Sequence, residues 1–160
     1  MILFLNGSIN SGKSTVAKLL VKELPNAALV EIDALHEMID WMPIDRAVPI
    51  NLENAVALIR NFTKHGISCV VPYPLSQKNH DYVTEALSDL DEKIRFVTLA
   101  PALAEALKNR GGGRALTKRE RERIKHHYAI GIPAPAFGTI IDNSDQTPEE
   151  TAKMILERVG

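Results

Sequence analysis

Eight residues near the start of the chain restrict its fold more than any other feature. Residues 7–14, with the sequence GSINSGKS, fit the pattern G-x-x-x-x-G-K-[ST] at every fixed position. In this pattern backbone N–H groups and a helix N-terminus face phosphate oxygens, so a strand must enter the loop and a helix must leave it. The surroundings meet that requirement. An apolar run at residues 1–6 leads into the loop, and apolar residues recur at helical spacing over residues 13–24.

The motif predicts a nucleoside triphosphate site, with ATP and Mg²⁺ as the ligands. Lys13 is expected to reach the β- and γ-phosphates, and the Ser14 hydroxyl to bind Mg²⁺. The alternative, a glycine-rich turn with an incidental lysine, does not account for the flanking strand and helix. The residues of this segment predicted to bind the nucleotide are Gly7, Ser8, Asn10, Ser11, Gly12, Lys13, Ser14 and Thr15.

Short apolar runs alternate with helical patterns along the rest of the chain. Strands are predicted at residues 1–6, 28–32, 67–71, 94–99 and 138–141, and helices at 13–24, 33–40, 52–65, 82–90, 101–109, 117–128 and 148–159. Pro43 and Pro49 are predicted to bracket an irregular segment. Five apolar strands separated by helices predict a parallel sheet covered on both faces, in a single α/β domain.

Composition narrows the classes of partner and compartment. The 160 residues carry a formal net charge of −1, so the chain lacks the overall positive charge typical of a nucleic-acid binder. No run approaches the ~20 apolar residues that span a bilayer, so no membrane partner is expected. The single cysteine, Cys69, allows no intrachain disulfide and is expected to be a buried, inert thiol. These features predict a cytoplasmic protein.

Asp33 is the acid best placed for chemistry in the sequence. It ends the predicted second strand, and the carboxyl ends of parallel strands face the ligand crevice. A carboxylate there can accept a proton from a substrate hydroxyl or hold a Mg²⁺-bound water. Alternatively, Asp33 caps the helix that follows it. Position alone favours neither role.

Basic residues concentrate around a triple glycine at residues 111–113. Arg110 and Arg114 flank the glycines and are candidates to bind phosphate oxygens, because guanidinium groups stabilise the charge of phosphoryl transfer. A solvated helix surface is the favoured interpretation for the later bases, Arg119, Arg121 and Arg123, since glutamates interleave with them. His126 and His127 lack a companion ligand and are expected at the surface.

Taken together, these features resemble the small P-loop kinases of the nucleoside monophosphate kinase-like group, and most of all chloramphenicol phosphotransferase-like proteins. The resemblance is carried by residues 7–14, by Ile32-Asp33-Ala34-Leu35 and by Ile141-Asp142-Asn143-Ser144. It implies a three-layer P-loop NTPase fold with a five-stranded parallel sheet and an arginine-bearing lid over about residues 110–128 of one kinase domain, 1–160. It also implies that Asp33 is the catalytic base and that Arg114 is catalytic. Arg110 would lie against the adenine, and Asn143 would belong to the loop that borders it.

The chain departs from that group at the third strand, which ends in Pro72-Tyr73-Pro74 without a metal-binding aspartate. An apolar acceptor pocket is expected from Trp41, Met42, Pro43, Tyr73 and Pro74, with His36, Arg46 and Gln77 as candidate polar contacts. The resulting prediction is an ATP-dependent kinase acting on a small-molecule hydroxyl. A nucleoside or nucleotide kinase, a shikimate- or gluconate-type kinase and a non-catalytic ATP-binding module remain as alternatives, and a homodimer is one oligomeric state that the sequence leaves open.

Overall fold

The computed structural model describes residues 1–108 and 115–159 of the chain. The strands are β1 (Ile2–Gly7), β2 (Ala27–Leu29), β3 (Ser68–Pro72), β4 (Ile94–Leu99) and β5 (Thr139–Ile141). The helices are α1 (Lys13–Glu23), α2 (Ile32–Glu37), α3 (Ile44–Lys64), α4 (Gln77–Ala86), α5 (Leu103–Ala106), α6 (Lys118–Ala129) and α7 (Pro148–Val159).

The five strands form one parallel sheet in the order β2-β3-β1-β4-β5. The central strand is β1, and Phe4 pairs with Val71 of β3 on one side and with Phe96 of β4 on the other. Every residue of β1 is buried, as a continuous apolar run requires when helices cover both faces of a sheet. The predicted parallel five-stranded sheet is therefore confirmed.

Alternate residues of β1 enter two separate hydrophobic cores. Ile2 and Phe4 pack on the face covered by α3 and α4, whereas Leu3 and Leu5 pack on the face covered by α1 and α7. This division follows from the two-residue period of a strand. The result is the three-layer α/β arrangement that the sequence predicts, with the carboxyl ends of β1, β3 and β4 along one edge.

A buried amide ties that edge together. Asn6 donates through Nδ2 to Thr98 Oγ1 and to the Ile132 carbonyl, each at 3.0 Å, and its Oδ1 accepts from the Leu75 amide at 2.8 Å. Asn6 is fully buried. One side chain thus joins β1 to β4, to the loop after β3 and to the loop before β5.

Several predicted boundaries are wrong. The helix predicted at residues 82–90 is α4, which begins and ends earlier, and two further differences lie at prolines. Residues 43–49 are not irregular, because α3 begins at Ile44 and continues through Pro49. Pro49 lies in the second turn of the helix, beyond the first amides that lack an intrahelical partner, so α3 forms although one backbone hydrogen bond is lost at this proline. Pro101 does not open a helix to residue 109. It precedes Ala102, the N-cap of the four-residue α5.

Other local predictions are confirmed. Thr117 and Glu120 form a reciprocal capping box at the start of α6. Thr147 and Glu150 make the equivalent pair at α7, with backbone-to-side-chain distances of 2.8 and 3.1 Å. Cys69 is buried, and burial raises the pKa of its thiol to about 11, so it is an inert core residue. Over residues 1–108 and 115–159, no helix has the length and apolar character needed to cross a membrane.

Candidate active site

The loop between β1 and α1 contains backbone conformations that glycine adopts more readily than other residues. Gly7 has φ +142° and Gly12 has φ +97°. A Cβ at Gly7 would lie 2.5 Å from the Leu99 carbonyl oxygen, so any side chain there collides with β4. Asn10 also has a positive φ, 60°. The loop therefore turns tightly at the end of the central strand and leads directly into the N-terminus of α1.

Lys13, the first residue of α1, lies back across this loop. Its Nζ donates to the Ser8 carbonyl at 2.6 Å. The pKa of Lys13 is lowered to about 8: burial is the main cause, the nearby Asp33 carboxylate acts in the opposite direction, and the positive charge of Arg123 contributes to the lowering. In the structure the Lys13 ammonium group is thus desolvated and donates a hydrogen bond to one carbonyl. It lies beside the loop in which the motif predicts that phosphates bind.

Two asparagines hold the loop against neighbouring elements. Asn10 donates through Nδ2 to the carbonyls of Ala106 and Lys108, each at 2.8 Å. Asn143, in the loop after β5, donates through Nδ2 to the Ser11 carbonyl at 3.0 Å and is 3 % exposed. Asn143 was singled out in the sequence as a neighbour of the nucleotide, and it lies directly against the phosphate loop.

Two cavities open on either side of the loop, and Asn10 lines both. The first, of about 460 Å³, lies between the loop, α1 and the segment after β5. It is lined by Asn10, Gly12, Thr15, Val16, Asn143, Gln146 and Pro148. We call it the donor-side cavity.

The second cavity, of about 410 Å³, lies between the loop, α2, α3 and the end of β3, and α6 contributes to its wall. We call it the acceptor-side cavity. Lys13, Ser14 and Asp33 all line it. Two neighbouring residues of the phosphate loop and the separately predicted Asp33 therefore share one cavity.

Asp33 occupies a different backbone position from the one predicted. β2 ends at Leu29, so Asp33 is not the last residue of a strand but lies in the first turn of α2. It is not the N-cap either, because Glu31 holds that position and makes no side-chain capping bond. The carboxylate is exposed to the cavity and lies near enough to Lys13 and Tyr73 to affect the pKa of each.

Two residues of α6 reach the site although the sequence suggested a solvated surface for both. His127 is 7 % exposed, and its Nδ1 lies 3.3 Å from the Ser8 Oγ. Burial, together with the positive charges of Arg123, Lys13 and His126, lowers the pKa of His127 to about 4, so the imidazole is neutral at neutral pH. Arg123 lines the acceptor-side cavity.

The helical period of α6 gives a signal for both, because His127 lies one turn after the buried apolar residue Ile124, and Arg123 lies one turn before His127. Of the other two arginines, Arg119 is exposed as expected, but Arg121 donates to the Leu107 carbonyl at 2.6 Å.

The expected acceptor residues divide into two groups. His36, Tyr73 and Pro74 line the acceptor-side cavity. Burial raises the pKa of Tyr73, and the Asp33 carboxylate adds to that effect. The remaining expected residues are absent from the described lining of the cavity: Trp41, Met42, Pro43, Arg46 and Gln77. Trp41 is 75 % exposed, and Gln77 donates to Asp81 at 2.7 Å.

Arg110 and Arg114 lie outside the described residues, as does the triple glycine between them. Their predicted contacts with adenine and phosphates stay predictions. The described part of the expected lid is residues 115–128, which contain α6 from Lys118 onward.

Within the described residues, no group of three or more His, Cys, Asp and Glu side chains could hold a metal ion by itself. The oxygens available beside the phosphate loop are the Ser14 hydroxyl and the Asp33 carboxylate. Hard oxygen ligands of this kind, completed by phosphate and water oxygens, suit Mg²⁺.

Comparisons with known proteins place the fold. No family model matches the chain, and no curated protein matches its sequence significantly. Solved structures do match. A Janibacter sugar kinase is similar over 98 % of this chain and 92 % of its own, with a TM-score of 0.73 and 20 % identity. The tunicamycin resistance protein of Deinococcus radiodurans is similar over 99 % and 95 %, with a TM-score of 0.67 and 20 % identity.

The APS kinase of Mycobacterium tuberculosis, in complex with AMPPNP and APS, matches over 98 % of this chain and 95 % of its own. Its TM-score is 0.67 and its identity 18 %. The fold is that of the small P-loop kinases. The three-layer P-loop fold expected from the sequence is therefore confirmed. Since the matched kinases are named for different acceptors, this fold leaves the acceptor to be argued from the site.

Proposed function

We propose that this protein is an ATP-dependent kinase that transfers the γ-phosphoryl group of ATP to a hydroxyl group of a small molecule. One observation carries the proposal: Lys13, Ser14 and Asp33 line the same cavity, beside a glycine-shaped phosphate loop. The proposal treats residues 1–160 as one kinase domain, with residues 110–128 as its lid.

On the donor side, the adenosine of ATP would occupy the donor-side cavity, where the loop containing Asn143 forms one wall. The phosphates would then follow the loop toward the N-terminus of α1. Lys13 would exchange the Ser8 carbonyl for phosphate oxygens, a stronger partner for an ammonium group. Ser14 would hold Mg²⁺, which neutralises phosphate charge when bound, and the Asp33 carboxylate would remain available as the base.

On the acceptor side, Asp33 would accept the proton of the acceptor hydroxyl. The new O–P bond forms at the γ-phosphorus as the bond to the bridging oxygen of the β-phosphate breaks, and ADP leaves with that electron pair. Arg123 lines this cavity and would stabilise charge on the transferring group. Arg114, and Arg110 beside the adenine, keep the roles predicted for them within the proposal.

A nucleotide kinase is less well supported. It would need basic groups for the phosphate of the acceptor, and the sequence offers Arg46 and Arg60 for that purpose. Arg60 is paired with Asp89 on the far side of α3, at 2.5 and 3.0 Å. Arg46 is exposed and absent from the described cavity lining. A shikimate- or gluconate-type kinase would likewise need basic groups to bind the carboxylate of its acceptor, so it is less well supported for the same reason.

The test is ADP release over a panel of antibiotics, sugars, sugar acids and nucleosides, with Lys13→Ala as the blank. Asp33→Asn is expected to lower kcat on the best acceptor by about 10²–10⁴-fold, because a carboxamide cannot accept the proton. Binding of a non-hydrolysable ATP analogue should change far less.

Glu37→Gln is the matched control, since it removes one negative charge from the same cavity and should retain most of the turnover. Full turnover by Asp33→Asn would refute the proposed role of Asp33 as the general base. If ATP binds but no compound raises ADP release above the blank, the protein is a nucleotide-binding module instead.

A further inference from the structure

The α3 wall of the acceptor-side cavity contains a buried amide that the sequence did not single out. Asn51 lies one turn beyond Val48, on the face of α3 that is turned to the protein interior. It is 2 % exposed and lines the cavity together with Asp33. An asparagine is an uncommon choice for a buried position within a helix, since it favours neither burial nor helical structure.

One end of this amide has a partner and the other does not. Nδ2 lies 3.3 Å from His36 Nδ1, so the imidazole accepts from the amide and, when neutral, has its proton on Nε2. Oδ1 accepts no hydrogen bond from the described part of the chain. Oδ1 is itself buried in this structure, so a small rotation of the side chain would be needed to present it to the cavity. Because buried polar atoms in proteins are nearly all hydrogen-bonded, an unpaired acceptor in a residue that lines a cavity indicates a bound partner.

The surroundings of Asn51 define that partner's chemistry. Ile32, Ile44 and Val48 supply apolar surface to the same cavity. Asp33, Glu37 and Glu120 supply carboxylates. Among the described lining residues the positive charges are Lys13 and Arg123, and both act at the phosphate side, where Arg123 affects the pKa of Lys13.

We infer that Asn51, positioned by His36, recognises the acceptor by taking a hydrogen bond from one of its O–H or N–H groups. The acceptor is an uncharged or cationic hydroxyl compound, because the three carboxylates repel an anion and Oδ1 pairs with donors alone. This inference rests on the proposed kinase function and adds to it the substrate class and the residue that selects it.

Asn51→Leu tests the role of the amide, since leucine has a similar volume and cannot accept a hydrogen bond. The matched control is Asn54→Leu, on the exposed side of the same helix. The probes are glucose and glucosamine against gluconate, and thymidine against thymidylate, added to the wider panel. On the best acceptor we expect Asn51→Leu to lower kcat/KM at least tenfold. The KM for the acceptor should rise, whereas the KM for ATP should stay unchanged. Asn54→Leu should match the wild type.

A merely structural role makes a different prediction for stability. If Oδ1 is unpaired until a ligand binds, Asn51→Leu should melt at the same temperature as the wild type or higher, because an unpaired buried acceptor is replaced by carbon. If Asn51 is needed for the fold, the melting temperature should fall by several degrees, and that result overturns the inference.

The outcomes separate this inference from the function on which it rests. If wild type and Asn51→Leu phosphorylate a neutral probe equally well, the inference is overturned and the proposed kinase function stands. Preferred turnover of gluconate or thymidylate overturns the acceptor class. A wild-type protein that phosphorylates no compound of the panel overturns the kinase, and the inference with it.

Discussion

Binding of ATP by this protein should weaken as the pH rises above neutrality, and Lys13 is the reason. In the free protein burial lowers the pKa of Lys13 to about 8, and Asp33 offsets that effect only in part. The charged ammonium is the form that attracts phosphates, so it is the form that binds. Triphosphate oxygens beside the ammonium favour its charged form, so the pKa of Lys13 should rise again in the complex.

The size of the effect follows from those two states. With a pKa of about 8 in the free protein and a value near the ordinary 10.5 in the complex, the dissociation constant increases about tenfold between about pH 7 and about pH 9. At about pH 8, binding should take up about half a proton. The direction of the pH dependence follows from linkage. A group whose pKa rises on binding takes up protons, so the affinity for ATP falls as the pH exceeds the pKa of Lys13 in the free protein.

Titration calorimetry with a non-hydrolysable ATP analogue measures both quantities, because the proton uptake appears as a dependence of the heat on the buffer's ionisation enthalpy. Lys13→Arg is the matched variant, since a guanidinium stays charged throughout this range. Its affinity should be nearly independent of pH. A wild-type dissociation constant that is flat from about pH 7 to about pH 9, or an equal decline in Lys13→Arg, would refute the reasoning.

Two further predictions concern the framework of the site, and urea unfolding checks both. Asn6→Leu should lower the free energy of unfolding by about 2–5 kcal/mol, because buried partners of its three hydrogen bonds lose them, whereas the exposed Asn54→Leu should stay within about 0.5 kcal/mol of wild type. Gly138→Ala should cost about 2–4 kcal/mol, since its φ is +68° and a Cβ would lie 2.4 Å from the Phe96 carbonyl oxygen. Gly66→Ala, with φ +71° and open space around it, should cost about 1–2 kcal/mol, so equal losses at the two glycines would contradict the steric argument.

The parts of the molecule that the sequence predicts well are those fixed by local chemistry. The phosphate loop needs a strand before it and a helix after it, and β1 and α1 lie there. The capping boxes at Thr117 and Thr147 depend on residues three positions apart, which a sequence displays directly. The alternation of β1 between two cores follows from its period alone.

The start of α3 could not be predicted in this way. Pro43 and Pro49 are both helix-disfavouring in isolation, and their pair suggested an irregular segment. In the structure Pro43 is the N-cap of α3 and Pro49 lies in its second turn, and the apolar face continues from Ala47 to Ile59. Burial of that face outweighs one lost backbone hydrogen bond, and the gain from burial depends on tertiary packing that propensity does not contain.

The polar groups of the site were harder to predict for a related reason. His127 and Asn51 have no motif, and each is recognisable only by being polar in a buried position. Burial of His127 depends on how α6 lies over the phosphate loop, and burial of Asn51 depends on how α3 packs beside α2. A contact between residues more than 100 positions apart, such as Ser8 with His127, is set by the whole topology.

The two halves of the site share a physical property that links structure to function. Lys13 keeps a desolvated charge against a single carbonyl, and Asn51 keeps a buried acceptor unpaired. Each arrangement destabilises the free protein, and each would be relieved by a ligand of the complementary kind: phosphate oxygens for the ammonium, and a hydroxyl or N–H donor for the amide. A ligand can favour a state only through interactions that the state makes available, so these two groups are places where a ligand can gain binding free energy. Both residues line the same cavity as Asp33, so in the proposed reaction Lys13 would bind the donor and Asn51 the acceptor within the cavity that contains the carboxylate that would remove the proton.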